Sequence, residues 1–396
     1  MNRGALMSDQ ETGKGGSKLS LFHIVTGVIL LIGVALTVYR FTQGLGPMTN
    51  LNNEYPWGLW ISFDLLCGVA LAAGGYVTTA ACYIFGLKKF HIAVRPAVLT
   101  AMLGYLLVVL ALTYDVGRPW RLPYPFLVQS GTTSVLFEVA LCVMIYLLTL
   151  IAEYSQVAFE WMRMSVARSL VMKSILFLTV LGVILSTMHQ SSLGALYLIA
   201  PYKMHPLWYS SFIPVYFFVS SIVAGMSMVI LEMSLARRFL RHKMDEAHEQ
   251  GYETVVLGFG KAAAFVLAGY VSLKVLGLAV ENDWSYLLTG FGALFLVELL
   301  GFFALPAYIF AIAARERRVG IIKWTALWSV LGIVLNRFNV SLVAYNWNLK
   351  VGEHYFPGWM EFGITIFIVT LGLVLYRYCA TRMPVLHEHP DYTDTH

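Results

Sequence analysis

Charged residues are scarce in this sequence. Asp, Glu, Lys and Arg together make up 12% of its 396 residues, whereas hydrophobic residues make up 58%. A soluble domain carries roughly 25% charged residues, so this composition excludes an ordinary water-soluble protein. The apolar residues form long continuous stretches instead of short alternating segments, which favours membrane-spanning helices over a transmembrane barrel.

Metal-binding residues are also few. The four cysteines occur singly inside apolar stretches, without the CxxC spacing that is typical of zinc or iron–sulfur sites, at Cys67, Cys82, Cys142 and Cys379. Among the histidines, only His23 and His189 come near the predicted hydrocarbon region, whereas a membrane haem needs axial ligands there. We therefore predict no haem, no iron–sulfur cluster and no other metal in this chain.

Ten stretches reach the length of about 20 mostly apolar residues that crosses a bilayer. Their predicted limits are 20–42, 58–86, 95–115, 132–154, 168–188, 206–235, 255–280, 288–314, 319–340 and 360–379. The sequence thus predicts an all-α integral membrane protein with a transmembrane domain at 20–379, between tails at 1–19 and 380–396. Residues 1–19 are polar and do not form a signal peptide, so we expect the first helix to be retained.

The basic residues indicate the orientation of these helices. A formal charge of +5 could suggest a nucleic-acid partner, but most of the 27 Lys and Arg residues cluster in alternate loops. This asymmetry is the positive-inside pattern of an even number of spans with both tails in the cytoplasm. We expect a multi-pass protein of the bacterial inner membrane, surrounded by lipid, with no nucleic-acid partner.

Two short echoes indicate an internal repeat. Ala73-Gly74-Gly75 in the second span resembles Ala224-Gly225-Met226 in the sixth, and Leu136-Phe137-Glu138 in the fourth resembles Leu296-Val297-Glu298 in the eighth. Both echoes are four spans apart, and an even offset preserves orientation, so the repeat is parallel. The prediction is two four-helix bundles, at about 58–188 and 206–340, flanked by one helix each.

Ionisable residues inside the membrane are costly and usually face a bundle interior, a cavity or a partner. Asp64, Asp115 and Glu138 all lie toward the outer side, which suggests one shared pocket, although a structural hydrogen bond is nearly as good an explanation for each. His189 ends the predicted fifth span, where a neighbouring carboxylate could make it a proton donor or acceptor near neutral pH. Tyr105 is a further candidate, or simply a packed tyrosine that needs a partner for its hydroxyl.

Several other polar residues admit two interpretations. Arg118, Arg121 and Arg337 oppose the positive-inside trend, and they could neutralise the carboxylates or anchor a partner subunit. Glu232, Lys274 and Glu298 form a second set, which could carry protons. Lys274 and Glu298 could equally form an inert structural pair. The Trp and Tyr residues of the outer loops could likewise be an ordinary aromatic belt.

Five strings in order along nearly the whole chain resemble the NrfD/PsrC family of quinone-interacting membrane subunits. They are Tyr55-Pro56-Trp57-Gly58 with Asp64, Asp115-Val116-Gly117-Arg118, Ser134-Val135-Leu136-Phe137-Glu138, Thr187-Met188-His189-Gln190-Ser191-Ser192, and His205-Pro206-Leu207-Trp208. Within the family they look most like the HybB-type membrane subunits of uptake nickel-iron hydrogenases. The resemblance implies a subunit that exchanges electrons between menaquinone or ubiquinone and a periplasmic ferredoxin-like iron–sulfur subunit, itself joined to a catalytic subunit such as a nickel-iron hydrogenase.

The resemblance also implies roles for single residues. His189 would donate a hydrogen bond and a proton to a quinone carbonyl, with Glu138, Asp115 and Asp64 relaying protons or holding the histidine. The quinone would be bound by the side chains of Tyr105, Trp57, Trp60, Arg118 and Gln190. Two alternatives stay open on the sequence alone, namely a secondary transporter, and a membrane anchor that docks partners without binding quinone.

Overall fold

The computed structural model describes residues 21–55, 57–128 and 130–387. This part of the chain contains ten helices that are long and apolar enough to cross a membrane. They are α1 (Leu21–Gln43), α2 (Trp60–Ile84), α3 (Lys88–Asp115), α4 (Val135–Trp161), α5 (Ser165–Ile199), α6 (Ile213–Phe239), α7 (Glu246–Glu281), α8 (Gly290–Arg315), α9 (Val319–Val343) and α10 (Trp359–Arg382). The predicted all-α membrane protein with about ten spans is confirmed.

Two helices extend about ten residues beyond their predicted limits. Helix α5 continues to Ile199, so His189 lies inside the helix and the prediction that it ends the fifth span is wrong. Helix α7 begins at Glu246 because the carboxylate of Asp245 accepts a bond of 2.8 Å from the backbone N–H of His248, which caps the helix. The predicted tail at 1–19 and residues 388–396 of the other tail lie outside the described residues.

The helices form two groups of four. In the first, α2, α3, α4 and α5 pack in sequence and α5 closes back on α2; in the second, α6, α7, α8 and α9 do the same. Helices α1 and α10 pack against each other and against α3, so both flanking helices lie together beside the first bundle. We call the end that carries the α1–α2, α3–α4, α5–α6, α7–α8 and α9–α10 loops the outer end, after the predicted orientation, and the opposite end the inner end.

The two bundles meet where α2 and α6 cross. A Cβ atom placed on Gly225 would lie 2.6 Å from the backbone of Ala73 and Gly74, and one on Gly74 would lie 3.1 Å from the carbonyl oxygen of Gly225. Such distances are shorter than van der Waals contact, so this backbone approach requires glycine. The small residues of the sequence echo therefore serve as the joint between the bundles.

The inner end is held by a buried ion cluster. Arg95 of α3 donates to both carboxylate oxygens of Glu160 on α4, at 3.1 and 3.0 Å, and Arg168 of α5 donates to the same carboxylate at 3.1 Å. Arg95 also donates to the carbonyl oxygen of Pro384, at 2.9 Å. This cluster joins three helices of the first bundle to the segment that follows α10.

Several helices contain wide turns with π-type hydrogen bonding. These turns lie at Trp60–Leu65 and Ala80–Ile84 in α2, at Val297–Ala304 in α8 and at Asn339–Val343 in α9. Such turns are rare and often mark functional sites. Three of them carry a buried polar residue, namely Asp64, Glu298 and Asn339.

Candidate functional site

The first polar cluster lies inside the first bundle and is centred on His189. Its ring is fully buried, and Nδ1 lies 3.0 Å from the hydroxyl of Tyr105 on α3. Tyr105 in turn packs edge-on against Tyr146 of α4, with ring centroids 4.7 Å apart. Helix α5 therefore presents its histidine to Tyr105 of α3, and not to a carboxylate as the sequence suggested.

This cluster has unused hydrogen-bonding capacity. Among the described residues, Nε2 of His189 is a buried atom without a partner, whereas Ser186 and Gln190 interact with the hydroxyl of Tyr105. When the Tyr105 hydroxyl donates to Nδ1, the ring proton of His189 lies on Nε2 and is free to donate. A buried polar group without a partner is unfavourable, so the cluster is suited to bind a polar ligand or to pass protons.

Glu138 lies on the outer side of this cluster. Its Oε1 accepts a hydrogen bond of 2.7 Å from Ser192, which lies one turn beyond His189 on α5. Gln190 faces α2, where its side-chain amide donates to the carbonyl oxygen of Val69 at 3.0 Å. The Thr187–Ser192 string thus contacts three different helices, and it brings His189, Gln190 and Glu138 to one part of the bundle.

Asp64 and Asp115 lie elsewhere. Asp64 is buried in the first wide turn of α2, where it accepts a hydrogen bond of 2.8 Å from Thr365 of α10. Asp115 ends α3 and interacts electrostatically with Arg40 of α1 and Glu361 of α10. The expectation that the three outer carboxylates share one pocket is therefore wrong, because Glu138 faces α5 while the two aspartates face α1 and α10.

Glu361 organises the outer end of α10. Its carboxylate accepts hydrogen bonds from the backbone N–H groups of Asn50 and Gly358, at 3.0 and 2.9 Å, and from the hydroxyl of Tyr355. Trp60 is buried against the same turn and donates from Nε1 to the Glu361 carbonyl oxygen at 3.2 Å. Trp60 is thus a packed residue that joins α2 to α10.

A layer of aromatic rings covers the outer end between the bundles. The ring of Trp57 stacks on Tyr345 and contacts Tyr197 edge-on, with centroids 6.2 Å apart in both pairs. Tyr55 lies 6.3 Å from Tyr345, and its hydroxyl bonds to Nδ1 of His354 at 2.8 Å. Because Nε2 of His354 faces the Leu349 carbonyl oxygen at 3.0 Å and carries the proton, Tyr55 is the donor, and burial raises the pKa of its hydroxyl.

An open cavity of about 450 Å³ adjoins this layer. Its lining is mostly apolar and includes Leu59 just before α2, Phe338 of α9 and Phe362 of α10. The α9–α10 loop contributes four further residues, of which His354 and Tyr355 supply polar groups. Leu59 and Phe362 lie roughly one turn from Asp64 and Thr365, respectively. Apolar walls with a few polar groups are typical of small-molecule sites, which usually measure about 300–1,000 Å³.

The second bundle contains a separate polar network around Glu298. The carboxylate is buried and accepts side-chain bonds from Trp208 at 3.0 Å, from Asn336 at 2.7 Å and from Asn339. Arg337 donates to Oδ1 of Asn336 at 2.8 Å, so the network extends to a buried guanidinium. Glu298 is therefore well satisfied where it lies.

Lys274 does not pair directly with Glu298 among the described contacts. Its ammonium lies over the rings of Tyr216 and Phe295, at 4.7 and 5.6 Å from their centroids. A small cavity of about 10 Å³ next to Lys274 is large enough for roughly one water molecule. Lys274 is thus a buried cation that contacts aromatic rings, and Glu298 is a carboxylate that is hydrogen-bonded to other residues.

Glu232 and Arg118 lie apart from these clusters. Glu232 of α6 accepts a hydrogen bond of 2.7 Å from Thr100 of α3, between the two bundles, and its carboxylate also interacts with the hydroxyl of Tyr376 on α10. Arg118 is exposed in the loop after α3. The structure does not bring Arg118 to His189, and Arg337 bonds within the second bundle, so neither arginine neutralises the outer carboxylates.

Besides Glu361, sequence reasoning missed two groups of functional interest. Arg40, which ends the first span, donates to the carbonyl oxygens of Tyr114 and Val116 beside Asp115, at 2.7 and 3.0 Å. Glu153 of α4 is buried near the middle of the first bundle and accepts a hydrogen bond of 3.3 Å from Thr179. A charged residue within an apolar stretch was the available signal for both.

Comparison with known proteins gives a consistent result. The model of the family described as polysulphide reductase, NrfD, matches residues 47–348. A protein of Escherichia coli named "Probable Ni/Fe-hydrogenase 2 b-type cytochrome subunit" is 33% identical over 96% of both chains. A protein of Nitratidesulfovibrio vulgaris named "Menaquinone reductase, integral membrane subunit" is 28% identical over 89% of this chain and 88% of its own length.

The E. coli name mentions a cytochrome, which bears on the predicted absence of haem. Among the described residues, no group of three or more His, Cys, Asp and Glu side chains could hold a metal ion. The described spans contain His23, His91, His189 and His248, and of these only His189 lies in the outer half. These residues do not form an evident pair of haem ligands at the outer end, and the absence of haem stays a prediction.

Proposed function

Since the chain belongs to the NrfD family, we propose that it is the quinone-reactive membrane subunit of a respiratory oxidoreductase complex. One observation carries this proposal: the outer end combines a mostly apolar cavity with buried side chains that can exchange protons, such as Asp64 and His189. A quinone has the same two requirements, because its ring is apolar and its two carbonyl oxygens each take up a proton upon two-electron reduction.

The cavity between α2, α9 and α10 is the proposed entry for the quinone. Phe356 and Phe362 at its mouth are 74% and 42% exposed, as expected for residues that contact lipid. The buried acids next to it are Asp64, one turn deeper in α2, and Glu361, which accepts a hydrogen bond from the cavity-lining Tyr355. Trp57 covers the region between this cavity and the end of α5, so the ring can bind beneath it.

His189 is the proposed proton donor to one carbonyl oxygen of the quinone. In the tautomer described above, its free Nε2–H supplies a hydrogen bond that strengthens as negative charge develops on the carbonyl. Tyr105 holds the ring through Nδ1 and can re-protonate it. Gln190 and Glu138 would complete the polar side of the site, and Asp64 and Asp115 would exchange protons on the α10 side.

The electron donor is proposed to be a periplasmic iron–sulfur subunit that binds to the outer loops. The exposed guanidinium of Arg118 and the exposed ring of Trp120, which is 71% accessible, are suited to such a docking surface. The names of the relatives favour a complex with a catalytic subunit, for which a nickel-iron hydrogenase is our first choice. We place the complex in the bacterial inner membrane, with both termini cytoplasmic.

The test uses the complex isolated through an affinity tag on this chain. We expect His189→Ala to lower the rate of electron transfer from the donor subunits to a soluble naphthoquinone by about 100-fold, the lower range for loss of a general acid. Met188→Ala is the matched control, because Met188 is adjacent in α5 but 43% exposed. Normal electron transfer in an assembled His189→Ala complex would contradict the site.

The same preparation separates the alternative functions. Binding of the quinone analogue 2-heptyl-4-hydroxyquinoline N-oxide to the wild-type complex is expected, whereas an anchor without quinone chemistry would not bind it. Uptake of a solute by liposomes that contain the chain alone would instead indicate a secondary transporter. The proton path that the sequence suggested through Glu232, Lys274 and Glu298 remains a proposal, and its strongest member is Glu232, a buried carboxylate whose described partners are hydroxyl groups.

A further inference from the structure

One face of α4 carries an acidic or phenolic side chain every two turns. Glu138, Tyr146, Glu153 and Glu160 follow each other at intervals of seven or eight residues, which places them on the same side of the helix. Tyr146, Glu153 and Glu160 are each at most 2% exposed. At 1.5 Å per residue the series extends over about 33 Å, close to the thickness of the hydrocarbon core.

Helix α5 supplies a matching series of partners. Ser192 donates to Glu138 at 2.7 Å, Thr179 donates to Glu153 at 3.3 Å, and Arg168 donates to Glu160 at 3.1 Å. Between them, the ring of Tyr146 lies against Gly182, where a Cβ atom would be 3.4 Å from the tyrosine ring. The antiparallel pair therefore contains a row of polar contacts at regular intervals, which we call the α4–α5 seam and define by Glu138, Tyr146, Glu153 and Glu160 with these partners.

The seam passes directly beside the His189 cluster. Tyr146 packs against Tyr105, which bonds to His189, and the buried hydroxyls of Tyr146 and Ser186 interact with each other. Glu153 lies two turns further toward the inner end and interacts electrostatically with Tyr146. The inner end of the seam is the Glu160 cluster with Arg95 and Arg168.

We propose that Glu153 is a proton-relay residue that connects the inner aqueous side with the His189 site along the α4–α5 seam. This inference rests on the proposed quinone function. A carboxyl group is suited to the role because it can give up its proton toward Tyr146 and take another from the Glu160 end. Glu153 has only a hydroxyl as hydrogen-bonding partner among the described residues, whereas Glu160 is fixed by two arginines.

Quinone reduction at this site balances in electrons and protons. Quinone takes two electrons from the iron–sulfur donor and two protons, and each oxygen forms one O–H bond as quinol is made. A proton that reaches His189 through Glu153 comes from the inner side, while the electrons come from the outer side. Electron transfer to quinone therefore moves charge across the membrane, and in the reverse direction quinol oxidation returns protons along the same seam.

The test compares Glu153→Gln, Glu153→Asp and Glu253→Gln in the complex reconstituted into liposomes. Glu253 is an exposed carboxylate at the inner end of α7 and serves as the control. A membrane-impermeant reductant added outside selects complexes whose outer end faces outward, and trapped pyranine reports proton uptake from the lumen. The titratable groups that face Glu153 are Tyr83 of α2 and Tyr146 of its own helix, and neither is changed by these variants.

We expect Glu153→Gln to lower both quinone reduction and lumenal proton uptake by about 100-fold. Glu153→Asp should keep at least a tenth of the wild-type rate, because it retains an acid, and binding of the quinone analogue should stay within twofold in all three variants. A Glu153→Gln complex with wild-type proton uptake would overturn the relay. Lack of analogue binding and of quinone reduction in the wild type would instead overturn the proposed function.

A second variant covers the case in which Glu153→Gln does not assemble. Thr179→Val removes the hydroxyl that orients Glu153 and replaces it with a side chain of nearly equal size. We expect a 3- to 10-fold fall in proton uptake with unchanged analogue binding. An unchanged rate in an assembled Thr179→Val complex would argue against the relay as well.

Discussion

Replacement of Glu298 by Gln separates a structural role of this residue from a role in proton transfer. Its carboxylate accepts three side-chain hydrogen bonds in the second bundle, from Trp208, Asn336 and Asn339. A glutamine amide offers one acceptor oxygen in place of two, so at least one buried donor loses its partner. The amide of Asn336 cannot simply turn round, because its oxygen accepts from Arg337.

The expected loss of stability in Glu298→Gln follows from these contacts. One buried donor without a partner costs about 1–3 kcal/mol, and loss of a charge beside buried cations raises the cost toward the 3–5 kcal/mol of a broken buried ion pair. We therefore expect Glu298→Gln to lower the free energy of unfolding by roughly 2–4 kcal/mol. The exposed carboxylate control, Glu253→Gln, should stay within about 0.5 kcal/mol of the wild type.

Thermal unfolding in detergent measures this effect. A maleimide dye that fluoresces on reaction with thiols reports unfolding, because Cys67 and Cys142 are buried in the native fold. Electron transfer to quinone is measured per folded complex in parallel. A structural role predicts lower stability with nearly normal turnover, whereas normal stability with lost turnover would refute this reasoning and favour the proton path through Glu298.

Three further predictions concern packing, the inner end and pH. Gly225→Ala should destabilise the fold by about 1–3 kcal/mol in the same dye assay, because its Cβ meets the α2 backbone, whereas Gly269→Ala, with open space around it, should be neutral or slightly stabilising. Arg95→Leu should cost about 3–5 kcal/mol by leaving Glu160 short of a cation, and should make the chain after α10 easier to cut by protease. Burial lowers the pKa of His205 from 6.5 to about 4, so the folded state binds fewer protons than the unfolded state between these pH values. The free energy of unfolding should therefore rise with pH over this window, by at most about 3 kcal/mol. His205→Phe should abolish the rise.

Each of these predictions has a result that contradicts it. Equal melting temperatures for Gly225→Ala and Gly269→Ala would show that α2 and α6 can separate at no cost. Wild-type stability and protease resistance of Arg95→Leu would show that Arg168 alone satisfies Glu160. An unchanged pH dependence in His205→Phe would assign that dependence to other groups.

The fold could be predicted from the sequence because a membrane span has one dominant signal, a long apolar stretch. The limits were less accurate where polar residues are paired inside the protein. The fourth span was predicted to end at 154, but α4 continues to Trp161 because Arg95 and Arg168 neutralise Glu160. The two four-helix groups agree with the echoes, of which the first marks the glycines that meet where α2 and α6 cross.

The site could be predicted only in part. The Thr187–Ser192 string pointed to His189, but its partner was expected to be a carboxylate and is the hydroxyl of Tyr105. Glu361 was missed because it lies near the start of a span, where a carboxylate ordinarily faces water, whereas here it caps the turn that also holds Trp60. The pairing of side chains across helices depends on the rotation of each helix about its axis. A long stretch that is apolar on all sides does not predict this rotation.

The contact between Ala73-Gly74 and Gly225 has a consequence for the symmetry of the molecule. The equivalent positions of the two repeats touch one another, as the two copies of one patch do across the axis of a homodimer. The crossing of α2 and α6 therefore joins matching positions of the sequence echo, and each bundle serves as the other's binding partner there. A substitution at Gly74 or Gly225 has to fit against the matching position of the other bundle. The two bundles can therefore differ in their polar networks, whereas their sequences constrain each other where α2 and α6 cross.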